Sequence, residues 1–142
     1  MKFLESLPHF VKLMTDDKKL DYLVCQLKWM EENGSGDKMA KELRRAATEI
    51  LQLYGVPSCE FYNDKRMLDI VMIMGRLSRT MGLKGVMHQV HARGQFKELA
   101  EFYVKWAEIY AQEKNREKFD EIWQMAINAG AKPASHIDEA FR

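Results

Sequence analysis

A chain of 142 residues with 46% hydrophobic and 30% charged side chains has the length and make-up of one folded domain with a single core. Its net charge of +1 supplies no bulk field to draw in nucleic acid or an anionic membrane. No apolar run approaches the roughly 20 residues that span a bilayer.

Met1 to Met14 holds Glu5, Pro8 and His9 where a signal peptide needs a basic start and a long apolar run, so none is expected. Residues 1–15 read as a leading segment, with a short helix from Phe3 to Met14 that Pro8 keeps irregular. Thr15-Asp16-Asp17 offers N-caps to the first full helix. Its stripe is Leu20, Leu23, Val24, Leu27 and Met30, and Asn33-Gly34 closes it. Asp37 is expected to cap the next helix, which turns Met39, Leu43, Ala46, Ala47 and Ile50 inward and stops at Gly55-Val56-Pro57-Ser58. Asn63 or Asp64 caps a further helix with the stripe Met67, Ile70, Val71, Met74 and Leu77, broken at Thr80-Met81-Gly82. A shorter helix, about Leu83 to Arg93, carries Val86, Met87 and Val90, and Gly94 suits a left-handed C′ position.

In Leu99 to Tyr110, residues Tyr103, Trp106, Ala107 and Tyr110 follow i, i+3, i+4, i+7 and share one helical face. Aromatics flank one small residue there, which lets a second helix approach closely. Phe119, Trp123, Ala126 and Ile127 repeat the arrangement after Lys114-Asn115-Arg116, so the two helices are expected to interlock as an antiparallel pair. Gly130 and Pro133 close the second, and Ser135 to Arg142 is expected to start a capping helix on Ile137 and Phe141.

No stretch shows sustained alternation, so the chain is expected to be all-α. Successive helix pairs raise the tetratricopeptide pattern, in which bulky residues surround a small one in the first helix and an aromatic stands between small residues in the second. The last pair fits best, with Tyr103, Trp106, Ala107, Tyr110, Trp123 and Ala126. Leu23, Gln26, Leu27 and Met30 with Met39, Leu43 and Ala46 fit by character, as do Met67, Ile70, Val71 and Met74 with Leu83, Met87 and Val90. The expected architecture is a tetratricopeptide-like solenoid of about three degenerate helix pairs over residues 16–142, with flanking helices. The ten methionines read as flexible core filler. Cys25 and Cys59 form no paired spacing and read as reduced thiols of an intracellular protein.

These residues resemble a specific family. Lys19-Leu-Asp-Tyr-Leu-Val-Cys-Gln-Leu-Lys-Trp-Met-Glu-Glu-Asn33 is similar to the opening helix of the N-terminal domain of the Bub-type mitotic checkpoint kinases, which the mitotic-arrest-deficient checkpoint proteins share. Trp29-Met30-Glu31-Glu32 matches its Trp followed by an acidic pair. Tyr62-Asn63-Asp64-Lys65-Arg66-Met67-Leu68 is similar to its Asn-Asp-Pro-Arg-aromatic-Leu motif, with Lys65 in place of the proline. Leu99-Ala100-Glu101-Phe102-Tyr103-Val104-Lys105-Trp106-Ala107 is similar to its most recognisable string, and Ala131-Lys132-Pro133 to its closing Ala-x-Pro. Leu23 replaces an aromatic, Met74 replaces Tyr or Phe, and Gly94-Gln95-Phe96 keeps only the first glycine of a Gly-Ile-Gly turn. Family members often carry a Lys-Glu-Asn motif ahead of this domain. None is present here, which leans toward the kinase branch.

The resemblance implies a monomeric docking module without enzymatic activity or cofactor. It would bind a short amphipathic helix of the large kinetochore scaffold protein. The parent protein would be nuclear and cytoplasmic, and at kinetochores in mitosis. The alternative is a generic helical-repeat adaptor of another intracellular pathway.

The chain has no Gly-rich loop and neither the His-Arg-Asp nor the Asp-Phe-Gly landmark of a kinase, and no acid, base and nucleophile converge in it. His88 and His91 stand i, i+3, but nothing near them completes a metal set, so no metal is expected. Lys38, Lys41 and Arg45, with Arg44 beside them, read as a solvated helix face interleaved with Glu42 and Glu49. Asp64, as a cap, and Arg66, as the partner of an acidic group on a neighbouring unit, are read as fold-determining. Trp29, Tyr103, Trp106 and Ala107 are expected in the core, and Pro133 in the fold-determining stop. The Asp64-capped helix is apolar nearly all round: Met72 stands opposite the stripe, Leu68 about 40° from it, and Ile73 on the other flank. Such a helix is either covered on two sides or presents a binding face. On the second reading Leu68, Met72 and Ile73 would receive the partner helix, with Arg76 at the rim.

Overall fold

The computed structural model describes residues 3–140, and among them no residue lies in a strand. A 3-10 turn, Leu4–Ser6, precedes eight helices of those residues: α1 His9–Lys12, α2 Asp16–Asn33, α3 Gly36–Tyr54, α4 Lys65–Leu77, α5 Gly82–Ala92, α6 Ala100–Gln112, α7 Arg116–Ala129 and α8 Ala134–Ala140. The all-α expectation holds. The chain divides into two compact units, residues 1–86 and 87–142, with the boundary inside α5.

In the first unit, Thr15 caps α2 by accepting from the Lys18 amide at 3.4 Å, and Leu20, Leu23, Val24, Leu27 and Met30 are all buried. Ser35, not Asp37, is the N-cap residue of α3, because Gly36 at φ +84° starts the helix one residue before Asp37, which lies in its first turn. Leu43, Ala46, Ala47 and Ile50 are buried as expected, and Tyr54 joins them. The leading segment breaks at Pro8 as its chemistry requires. Glu49 on α3 holds its start, accepting from the Phe3 and Leu4 amides at 2.8 and 3.1 Å.

α4 packs on both α2 and α3. A row of ion pairs fixes its direction against α2. Arg66 meets Asp21 at 2.9 Å, Asp69 meets Lys28 at 3.0 Å, and Arg76 meets Glu31 at 2.7 Å. Rising numbers on one helix pair with rising numbers on the other, so α2 and α4 run parallel. They are the first helices of successive pairs, with α3 returning between them, which is the tetratricopeptide order.

The close approach in the second pair falls at Gly75, where the repeat pattern had suggested Val71. A Cβ at Gly75 would lie 2.9 Å from Leu83 Cδ1 and 3.0 Å from Leu83 Cα at the start of α5. Gly75→Val should therefore overpack this contact and cost about 1–3 kcal/mol, read as a lower melting temperature. A variant that melts at or above the parent temperature would show that α5 does not rest on α4 there.

In the second unit, α6 and α7 pair, and α8 packs on both. Tyr103, Trp106, Ala107 and Tyr110 are all buried, with Phe102 beside them. On α7 the inward residues are Ile122 and Ala126, while Trp123 and Ile127 are 37% and 50% exposed. That corrects the expected Phe119-Trp123-Ile127 face, because Ile122 and Ala126 set the i, i+4 stripe one residue round. Gly94 takes the left-handed conformation expected of it, at φ +80°, and Gly130, which closes α7, takes it too, at φ +67°. Beyond Gly130 the chain returns to α6, where Ala100 N donates to Lys132 O at 2.9 Å and Lys132 N to Glu98 O at 2.8 Å. Pro133 follows across a cis bond and is exposed. Ile137 is buried on α8. Phe141, expected beside it, lies outside the described residues.

Trp106 is 1% exposed, with the rings of His88, His91 and Phe102 centred 5.2, 5.0 and 5.5 Å from its own. Truncating it leaves a large cavity among rings that cannot collapse inward together. Trp106→Ala should cost about 3–5 kcal/mol in chemical denaturation. That is a large share of the about 5–15 kcal/mol typical of a domain. A loss below about 1 kcal/mol would place the indole outside the core.

Candidate partner-docking surface

α4 starts at a polar knot. Asp64 caps the helix by accepting from the Arg66 amide at 2.8 Å. The Arg66 guanidinium then uses all five of its N–H groups. Nε and one Nη2 hydrogen go to the two Asp64 oxygens at 2.9 and 2.8 Å. The others reach Asp17 Oδ1 at 2.7 Å, Asp17 O at 2.8 Å and Asp21 Oδ1 at 2.9 Å, all on α2. Phe61 lies under the cation at 5.5 Å. The hydrogen bond from Arg66 holds the Asp64 carboxyl below the usual carboxylate range, although its partial burial pulls the other way. The same bond raises Arg66 above its ordinary value. Arg66 thus meets acidic groups of a neighbouring helix pair, and its guanidinium has no N–H left to offer a ligand.

The expected binding face of α4 is corrected. Leu68 and Ile73 are fully buried, and Met72 is half-buried. Arg66, Asp69, Ile73 and Arg76 follow i, i+3, i+7, i+10, one stripe, and the three charged members all bond to α2. Arg76 holds Glu31 in a two-pronged pair, Nε–Oε2 2.9 Å and Nη2–Oε1 2.7 Å. Ile73 and Arg76 lie on the stripe that faces α2 of the same unit, so that flank of the expected groove is closed. Two-sided packing explains the apolar circumference of α4.

Trp29 is the second correction. It is 59% exposed, not core. On a helical wheel it lies about 180° from Leu20, opposite the α2 stripe. Tyr22 and Cys25 precede it at i−7 and i−4 on that outer face, half-buried and exposed respectively. Phe10 of α1, 61% exposed, meets the Tyr22 ring edge-on at 6.2 Å, and Leu13 beside it is 72% exposed. The structure therefore shows an outward apolar strip on α1 and α2, of which the sequence reading had placed only Trp29, in the core. The signal was present, since Trp29 falls outside the stripe its own helix declares.

His88 is exposed and His91 half-buried. Both rings pack on Trp106, and burial, then the neighbouring His88, lowers the His91 pKa. No group of three potential metal ligands occurs among the described residues. Tyr103 donates to Lys97 O at 2.6 Å, and burial raises its hydroxyl pKa. The structure thus offers an outward apolar strip, and no acid, base and nucleophile converge among the described residues.

The sequence profile of Mad3/BUB1 homology region 1 matches residues 4–127, most of the chain. The chain belongs to this family. It is 28% identical over 135 residues to the human protein named mitotic checkpoint serine/threonine-protein kinase BUB1 beta, and 27% identical over 135 residues to the mouse protein of that name. Each alignment covers 93% of this chain and 12% of the relative, so the chain corresponds to a small part of those proteins. The family region is a helical protein-interaction region, and the kinase landmarks are absent from this chain.

The Asp64–Arg66 knot has a measurable pH consequence. Asp64 is lowered in the folded state, so its pairing stabilises the fold above the unfolded value, about pH 4, and is lost as the pH falls through the folded value. Arg66→Ala should cost about 1.5–3 kcal/mol at neutral pH, the range for hydrogen bonds to charged groups. The gap between variant and parent should narrow as the pH falls below the unfolded value, about 4, and through the lowered folded value, where the carboxyl protonates. A gap that stays constant from neutral to acid would mean that the Asp64 charge is not what Arg66 stabilises.

Proposed function

We propose that this region is a non-catalytic docking module of a spindle checkpoint protein. It binds a short amphipathic helix of a kinetochore scaffold protein and so helps bring its parent protein from the nucleus and cytoplasm to kinetochores in mitosis. Membership of the Mad3/BUB1 family supports the checkpoint setting. The observation that carries the docking role is the outward strip that runs from Phe10 and Tyr22 to the exposed Trp29. A helix with i, i+3/i+4, i+7 apolar residues would lay that stripe along α2. Trp and Tyr give large contact area at low entropy cost, which makes them frequent anchors of binding energy. The flanking Glu32, Lys28 and Asp21 would form a polar rim.

Calorimetric titration with the scaffold's amphipathic peptide tests this, run on the parent and on Trp29→Ala with melting curves of both. Trp29→Ala should bind at least about tenfold more weakly, or about 1.4 kcal/mol. Its melting temperature should hold, because the indole is exposed. Absence of binding to the parent chain would defeat the scaffold reading and favour an adaptor of another pathway. Unchanged affinity in a folded Trp29→Ala would take the site off α2.

A further inference from the structure

The first unit holds a second concavity away from the α2 strip. An open cleft of about 650 Å³ lies between the first half of α3 and the end of α4. That volume is in the range of ligand sites, about 300–1,000 Å³. Three of its lining residues are cations, Lys41, Arg44 and Arg79, and one is a carboxylate, Asp37. Three against one leaves a local excess of two positive charges in a chain whose net charge is only +1.

The cations are available. Lys41 has no hydrogen-bond or ion-pair partner among the described residues. Arg79 meets Asp37 only at 3.6 Å, with side chains 84% and 98% exposed, a pairing of little strength. Arg44 donates one Nη2 hydrogen to Leu77 O at 3.1 Å, which holds the guanidinium at the wall and leaves its other donors open. Lys41 and Arg44 stand i, i+3 on one face of α3, so both charges point to the same place. Ser78 and Thr80 add hydroxyls. Ser78 Oγ accepts from Met81 N at 3.1 Å, so its own hydrogen can donate elsewhere. The half-buried Met74 and Leu77 supply an apolar floor.

A phosphate monoester fits this set. It carries about two negative charges and three acceptor oxygens, and guanidinium forks bind it bidentately. No aromatic lines the cleft, so a nucleic-acid base has nothing to stack on. The apolar floor asks for a side chain next to the phosphate, which a peptide supplies and free phosphate does not. We propose that the cleft binds a phosphorylated segment of a partner protein, with the phosphate on Lys41, Arg44 and Arg79 and a neighbouring apolar side chain on Met74 and Leu77. This site is separate from the α2 strip and stands whether or not that strip takes a scaffold helix.

The probe is a fluorescein-labelled peptide library with a fixed phosphothreonine, compared with the same library carrying threonine, at physiological salt. The phosphorylated library should bind saturably and at least about tenfold more tightly than the other. Inorganic phosphate should compete. Lys41→Gln and Arg79→Gln should each weaken binding several-fold and Lys41→Glu nearly abolish it, with melting temperatures kept because both side chains are exposed. Trp29→Ala should change nothing here. Equal affinity for the two libraries would overturn the proposal. So would phosphopeptide binding that survives Lys41→Glu with Arg79→Gln in a folded protein, or inorganic phosphate binding as tightly as the phosphopeptides.

Discussion

The Arg66 guanidinium is the point on which the first unit depends. It sits where three segments arrive: the start of α2 through Asp17 and Asp21, the turn before α4 through Asp64, and Phe61 beneath the cation. Next to it the Tyr54 hydroxyl donates to Asp16 at 2.9 Å, and the Tyr54 ring meets Phe61 edge-on at 5.7 Å. The end of α3 is thereby tied to the start of α2. Burial, then this bond to Asp16, raises the Tyr54 pKa well above that of a free phenol. Lysine would not replace Arg66, since an ammonium has three donors and no planar fork. Each carboxylate is also a local device, because Asp64 caps α4 while Asp16 and Asp17 lie in the first turn of α2, where negative charge is favourable. Caps and tertiary ties are made by the same groups, so the helices begin where they must begin to meet.

How much of this was legible depends on the range of the interaction. The α2 and α3 stripes, the Thr15 and Asp64 caps and the left-handed Gly130 are local, and sequence periodicity finds local features. The cap of α3 was missed by two residues because Asp37 looks like a better cap than Ser35, and only the positive φ of Gly36 decides between them. Gly75 was missed for the opposite reason. A glycine inside a helix reads as a weakness until the opposing residue, Leu83, is known. Arg66 was recognised as a tie to a neighbouring helix pair, but its partners lie 45 and 49 residues earlier, where no spacing rule reaches.

The candidate site was the least legible part, and the two errors mirror each other. Because Leu68 and Ile73 leave the main stripe of α4, they could be read as a second packed side or as a binding face. Both are buried, Ile73 on the stripe of α4 that faces α2. Trp29 was placed in the core because large aromatics usually are, although its position opposes the α2 stripe. Residue type misled at Trp29 and helix phase misled at Leu68. Phase fails for a helix between two neighbours, since both of its flanks can be inside. It holds for α2 at Trp29, which lies opposite the buried stripe and is exposed.

That contrast bears on where a docking module can change its partners without losing its fold. The tie residues of the first unit are each committed several times over. Arg66 makes five bonds, Asp64 caps and pairs, and Arg76 and Glu31 hold each other by both prongs. Substituting any of them strands a partly buried partner, which is costly even when the pair itself contributes little. Trp29 and Phe10 carry no such obligation. The fold gives up little if they become polar, so the outer face of α2 can follow the chemistry of whatever docks there. The cleft between α3 and α4 is intermediate. Lys41 and Arg79 are free to vary, but Arg44 also holds the end of α4 through the Leu77 carbonyl. A ligand that engaged Arg44 there would act on a side chain already bonded to the last turn of α4. Binding in the cleft and the placement of the linker from α4 to α5 would then be coupled through one guanidinium.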